Sequence, residues 1–281
     1  MSTDTQRRTR SYAVFISTAA VAVAAGLVFA GYGLGNVWTV LALVAVNAVA
    51  ERGSVWITRT AQLSIALLPT LFAAVLFGPL AAGIVNSASM LGDPELLQRG
   101  DPERAPRLKW ATYSSSRFLT GAAAGYAAIG VRDHVSATGF GSYLVATLVA
   151  AVLAEFLDIL SAGIVSMVRG RSIYGPFKPL GPLLLTSIPF YAPLVAMLAV
   201  AYSEVSPWTA PLFFIPALAA QRLFSMYQQQ RELAESLKRA NMSFAEALVA
   251  TLEQSDEYTA GHSKAVAIYS RDIAARLGLP A

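Results

Sequence analysis

Apolar residues in this chain come in long blocks rather than in alternation, at roughly 12–31, 37–50, 61–77, 79–91, 110–131, 141–167, 180–202 and 207–221. A helix needs about 20 apolar residues to cross a bilayer. The blocks therefore predict an all-α, polytopic membrane bundle over residues 1–221 with six to eight crossing helices. Blocks 61–77 and 79–91 meet at Phe77-Gly78-Pro79. There Pro removes a helical hydrogen bond and Gly relaxes the backbone, which predicts a hairpin that enters and returns. Beyond 221 the pattern changes: residues 222–254 hold almost no helix breakers, and Leu223, Met226, Gln230, Leu233, Leu237, Ala240, Phe244 and Ala247 recur at alternating steps of three and four. That is the repeat of a parallel coiled coil. It predicts a long cytoplasmic signalling helix that pairs two copies, with Gln230 as a polar core position that sets register or permits switching. The alternative is an amphipathic helix lying on its own chain.

Composition supports the membrane reading. Hydrophobic residues make up 55% and charged residues 14%, with a mean hydropathy of +0.52, outside the balance of a soluble domain. The net charge of +4 is carried in short segments between blocks: Arg7, Arg8 and Arg10; Arg52 and Arg59; Arg99, Arg104, Arg107 and Lys109; Arg169, Arg171 and Lys178; and Arg222. All fall on one side if 61–91 forms the hairpin, so the positive-inside rule predicts a multi-pass protein of the inner, cytoplasmic membrane with both termini in the cytoplasm. A single long span over 61–91 would place the carboxyl-terminal segment outside. The block beginning at Tyr12 is longer than a signal-peptide core and reads as a retained first helix. No basic run is interleaved with aromatic residues, which argues against a nucleic-acid surface. The absence of cysteine excludes disulfides and thiolate metal sites.

A few polar residues interrupt the apolar blocks. Glu155 and Asp158 stand three residues apart in AVLAEFLDILSAGIV, on neighbouring parts of one helical face. Acids in lipid are costly and face a partner or water. They read either as an intramembrane sensing site or as a structural pair satisfied by Arg117 or by hydroxyls. Arg117, within TYSSSRFLTG, reads first as a side chain reaching for the interface about two turns away. His134 reads as a solvated loop residue, with a pH sensor as the alternative. Leu-Phe-Gly-Pro-Leu-Ala-Ala-Gly at the hairpin resembles a turn of small-molecule-binding membrane modules, including vitamin-binding components of transporters. By that resemblance Asn86, Ser87 and Ser89 would line a cavity; otherwise the small residues serve close helix packing.

The last segment, NMSFAEALVATLEQSDEYTAGHSKAVAIYSRDIAARLGL over residues 241–279, carries a second resemblance. An apolar helix ending in an acidic turn, then Tyr258-Thr259-x-x-His262-Ser263, then an amphipathic helix running into Leu277-Gly278-Leu279, together resemble the opening of the HD-GYP branch of the HD metal-dependent phosphohydrolases. The resemblance implies a cyclic di-GMP phosphodiesterase module using iron or manganese, with His262 at the position of its first metal ligand. Tyr258 stands where some members place an additional carboxylate, which implies two metals rather than three. The family's His-Asp dyad and Gly-Tyr-Pro segment lie further on than the nineteen residues after His262 reach. One imidazole cannot supply a metal shell that generates hydroxide, so residues 255–281 read as the incomplete start of the module and the chain alone as inactive. Thr259 reads as the N-cap of its second helix, whose face carries Ala265, Val266, Tyr269, Ile273 and Leu277 with His262. The competing expectation is a non-catalytic membrane receptor or transporter-like binding component with a dimerising tail.

Overall fold

A computed structural model describes residues 3–56, 62–63, 65–93, 106–134, 139–255 and 257–278. Arg59, Arg99 and Arg104 lie outside the described residues, as do the side chains of Arg107 and Lys178. Among the described residues the regular elements are helical apart from a short antiparallel ladder, β1 (Val55–Trp56) with β2 (Gln62–Leu63). The helices are α1 (Thr3–Phe29), α2 (Val37–Arg52), α3 (Leu67–Leu76), α4 (Pro79–Ala88), α5 (Pro106–His134), α6 (Phe140–Val168), α7 (Phe177–Val200), α8 (Thr209–Ser255) and α9 (Glu257–Arg276). A 3₁₀ turn, Ser89–Gly92, follows α4, and a π turn, Ala201–Val205, follows α7. Contacts divide the chain into two units, residues 1–225 and 226–281.

Three helical segments among the described residues are long and apolar enough to cross a membrane: Thr5–Phe29, Phe140–Val168 and Ile188–Val205. Six to eight were expected from the blocks. Among the described residues the other blocks stop short of that length or apolarity for local reasons. At 16 residues α2 rises about 24 Å, and α3 and α4, at ten each, rise about 15 Å. In α5 the length suffices, but Arg117, Arg132 and Asp133 interrupt the apolar run.

The hairpin at Gly78 is present. Gly78 adopts φ +88°, open to glycine because it has no Cβ, and Pro79 follows at the first position of α4. Thr70 and Asn86, each eight residues from Gly78, come together with Thr70 Oγ1 3.3 Å from Asn86 Oδ1, so α3 and α4 run antiparallel. Both are almost wholly buried. The hairpin lies against α5 with no side-chain layer between the backbones: a Cβ on Gly121 would sit 2.5 Å from the Ala82 carbonyl oxygen, and one on Gly125 would sit 2.6 Å from Pro79 Cα. The two glycines are one helical turn apart, the spacing that lets membrane helices touch.

An aromatic cluster fills the centre of the first unit. Phe72 meets Tyr202, Phe77 and Phe214 edge-on at centroid distances of 5.5, 6.4 and 5.9 Å. The connections then gather at two ends. At one, Phe77 of the hairpin tip packs on Tyr202 beyond α7, Tyr202 meets Thr39 near the start of α2, and Arg132 donates to the Val75 carbonyl oxygen and stacks over Tyr143 of α6. His134 belongs to this end too; it is the last residue of α5 rather than a loop residue, with Nδ1 2.7 Å from the Gly130 carbonyl oxygen. At the other end, Gln221 Nε2 donates to the Ala50 carbonyl oxygen near the end of α2, and Lys109 pairs with Asp93.

In the second unit α8 and α9 are helices with largely exposed side chains. α9 begins at Glu257, so Thr259 lies inside its first turn and does not cap it. An acid as first residue suits the positive helix start, and Asp256 lies outside the described residues.

Candidate functional site

The most concentrated chemistry lies inside the first unit, where α2, the hairpin, α5 and α6 converge. Arg117, near the middle of α5, forms a two-pronged pair with Glu51: Nη1 to Oε2 at 3.1 Å and Nη2 to Oε1 at 2.8 Å. Nη1 also donates to Ser89 Oγ on the 3₁₀ turn. The paired side chains are 26% and 12% exposed, and such fork-to-fork geometry is among the strongest polar contacts available. Arg117 therefore turns inward to a partner on α2 instead of reaching for the interface.

A chain of hydrogen bonds continues from this pair. Asn86 Nδ2 donates 2.8 Å to the Arg117 carbonyl oxygen, its Oδ1 faces Thr70 Oγ1, and Thr70 lies 3.4 Å from Asn47 Nδ2. Asn47, fully buried, also donates to the Val85 carbonyl oxygen at 2.7 Å. Asn47 and Glu51 are one turn apart on α2, so a single helical face supplies both ends of the network. Asn47 Oδ1 is buried with no partner in the structure. On the α6 side, Asp158 lies within reach of the Thr120 hydroxyl and in the field of Arg117, and Glu155 sits beside Asp158.

The structure thus brings Arg117, Glu155 and Asp158 into one neighbourhood together with Ser89, and adds Glu51, Asn47 and Thr70, which the sequence reading passed over. Glu51 sits one residue past an apolar block and looks like the start of a loop. The available signal was its place as the only acid in a helix that runs on to Arg52. The polar residues of the hairpin are taken up by protein partners. Asn86 and Ser89 are buried in the network, and Ser87 donates back to the Ile84 carbonyl oxygen. A separate apolar cavity of about 550 Å³ lies between the start of α3, α7 and α8, walled by Leu68, Tyr191, Leu194, Phe213, Ala217 and Gln221 among others.

The remaining predicted positions lie in α8 and α9. Leu223, Met226, Gln230, Leu233, Leu237 and Phe244 are all exposed along one stripe of α8. His262 is exposed in α9, as are Val266, Tyr269, Ile273 and Leu277, and the side chain of Tyr258 lies outside the described residues. Among the described residues no group of three or more His, Asp or Glu side chains is placed to hold a metal ion. A two-metal centre needs several ligands converging on each ion, and the described residues around His262 supply that imidazole alone. No family model, curated protein or solved structure matches the chain.

Proposed function

We propose that this chain is the membrane-embedded sensory part of a signalling protein, seated in the inner membrane with both termini in the cytoplasm, whose output end resembles the start of an HD-GYP cyclic di-GMP phosphodiesterase. The observation that carries the sensory reading is the Glu51–Arg117 pair with its attached network, linking three segments of an apolar bundle. Breaking a buried ion pair is costly, and charged residues held inside an apolar bundle mark a functional site by default; a stimulus that binds better to an altered arrangement of this network would shift the bundle toward it. The orientation is supported by the end holding Arg52, Lys109 and Arg222, while Arg132 at the opposite end is engaged by a carbonyl oxygen and a ring. By the resemblance, such a module uses iron or manganese on cyclic di-GMP, with His262 at the position of its first metal ligand, and one imidazole by itself cannot supply a hydroxide-generating metal shell.

The test is cyclic di-GMP hydrolysis, with ferrous or manganous ion, by the chain and by a fusion in which an active HD-GYP module replaces α9. The expected result is no turnover by the chain and turnover by the fusion that shifts several-fold on Arg117→Gln or Glu51→Gln. Turnover indifferent to both substitutions overturns the sensory reading, and turnover by the unfused chain overturns the reading that His262 alone cannot support hydrolysis.

The second reading, a non-catalytic membrane component that binds a small apolar molecule, is favoured by the cavity of about 550 Å³, a size in the usual range for such ligands. Ligand-dependent protection of the chain against thermal unfolding, lost on Ala217→Trp, would support it.

A further inference from the structure

The long helix α8 has an exposed stripe and a distribution of charge that together identify what covers it. Every residue from Gln229 to Thr251 is exposed, including Leu233 at 71% and Leu237 at 60%. In proteins most helical stability comes from packing an apolar face rather than from propensity. Continuing the three-four repeat, the seam from residue 226 onward is Met226, Gln230, Leu233, Leu237, Ala240, Phe244, Ala247, Thr251 and Gln254. The positions flanking it are Tyr227, Gln229, Ala234, Ser236, Asn241, Ser243, Leu248 and Ala250.

None of these seventeen positions is charged. The charges of the same stretch, Arg231, Glu232, Glu235, Lys238, Arg239, Glu246 and Glu253, all fall on the remaining three positions of the repeat, on the far side of the helix. A face turned to solvent would have no reason to exclude charge so completely. A partner that reads charge would need opposite charges on the flanks, which are the usual source of partner choice in coiled coils. Neutral flanks instead make the surface compatible with itself.

We infer that residues Met226–Gln254 form a parallel, in-register coiled coil with the same segment of a second copy of this chain, with Gln230 as its one large polar layer. The parallel direction rests on the reading of residues 1–225 as a membrane anchor, since two copies in one bilayer send α8 out the same way. The register rests on Gln230. Its amide both donates and accepts, so it is satisfied in an apolar seam by the amide of its own counterpart, and slipping by a heptad would set it against Leu237 or Leu223. Ala240 and Ala247 in the seam, with Ala234 and Ala250 beside it, leave room for close approach.

The chain has no cysteine, so single substitutions report directly on which face meets which. In native membranes containing the full chain, Leu233→Cys, Leu237→Cys and Ala240→Cys should form interchain disulfides under mild oxidation at least tenfold faster than Glu235→Cys and Met242→Cys on the outer face. A disulfide requires Cα atoms within about 7 Å, which only an in-register seam provides. In membranes co-expressing Leu233→Cys and Leu237→Cys chains, mixed disulfides should be rare, and Gln230→Leu in both should raise them. Equal rates on both faces overturn the inference, as does a seam cysteine that stays monomeric or that instead pairs with a cysteine placed at Val266 of its own chain. All substituted residues are solvent-exposed, so the fold survives the changes. The assay needs neither stimulus nor turnover, so its failure leaves the sensory reading untouched, and failure of that reading leaves this assay valid.

Discussion

The bundle of residues 1–225 and the outer length of α8 are both helical, yet they hold their polar residues in opposite ways. In the bundle, charged and amide side chains are drawn inward and tied to one another: Glu51 to Arg117, Asn86 to the Arg117 carbonyl oxygen, Asn47 to Val85. In α8 between Gln229 and Thr251 the charges point outward, and the one intrahelical ion pair resolved there, Arg231 with Glu235 at 3.1 Å, is exposed on both sides. On the proposed membrane placement, the difference follows from the surroundings. Where lipid lies outside, a polar group finds partners only within the protein. Where water lies outside, it needs none, and exposed pairs contribute little.

Substitutions in the two regions should therefore differ steeply in cost. The largest effect is expected at Arg117: Arg117→Leu leaves Glu51 without its partner and should lower stability by about 3–5 kcal/mol, measured by denaturant titration in detergent micelles. The charge-swapped double variant Glu51→Arg with Arg117→Glu should recover part of that loss, whereas a double variant worse than either single change would show that Ser89 and the surrounding geometry matter more than the pair. Next comes the hairpin seam. Gly125→Val drives a side chain into Pro79 and should cost about 1–3 kcal/mol, while the same change at Gly130, where a Cβ meets nothing within 4 Å, should be tolerated in the same unfolding assay. Asn47→Leu removes the donor to Val85 and should cost about 1–2 kcal/mol, since amide bonds inside membrane bundles are individually modest; an unchanged midpoint would mean that Asn47 matters for something other than stability. Arg231→Ala on α8 should cost no more than about 0.5 kcal/mol, and a larger loss of helical circular dichroism would contradict the water-facing placement of that side chain.

The same contrast explains how much could be read from the residues. The all-helical architecture was legible because apolar blocks and heptads are local patterns. The hairpin was legible because Gly and Pro at 78 and 79 act on their own backbone. The partner of Arg117 was not, since Glu51 lies 66 residues away in sequence and nothing near either residue names the other. Where each helix stops was less legible, because apolar character marks α3 and α4 as strongly as α6 while their length is fixed by where the turns fall. Thr259 shows the same limit on a smaller scale: several residues around a helix start are chemically suited to cap it, and the choice depends on a shift of two or three positions.

The glycines at 121 and 125 carry a mechanical consequence. Side chains between two helices act as bearings, letting one slide past the other as rotamers change. Here the Ala82 carbonyl and the Pro79 backbone rest directly on α5, and the bearings have been removed. Helix and hairpin must then travel together like a rod with a welded hook. The same helix thus joins the point where Arg117 grips α2 to the tip, where Arg132 holds Val75, fifteen residues or about 22 Å further on, with no side-chain layer against the hairpin to absorb a displacement between them.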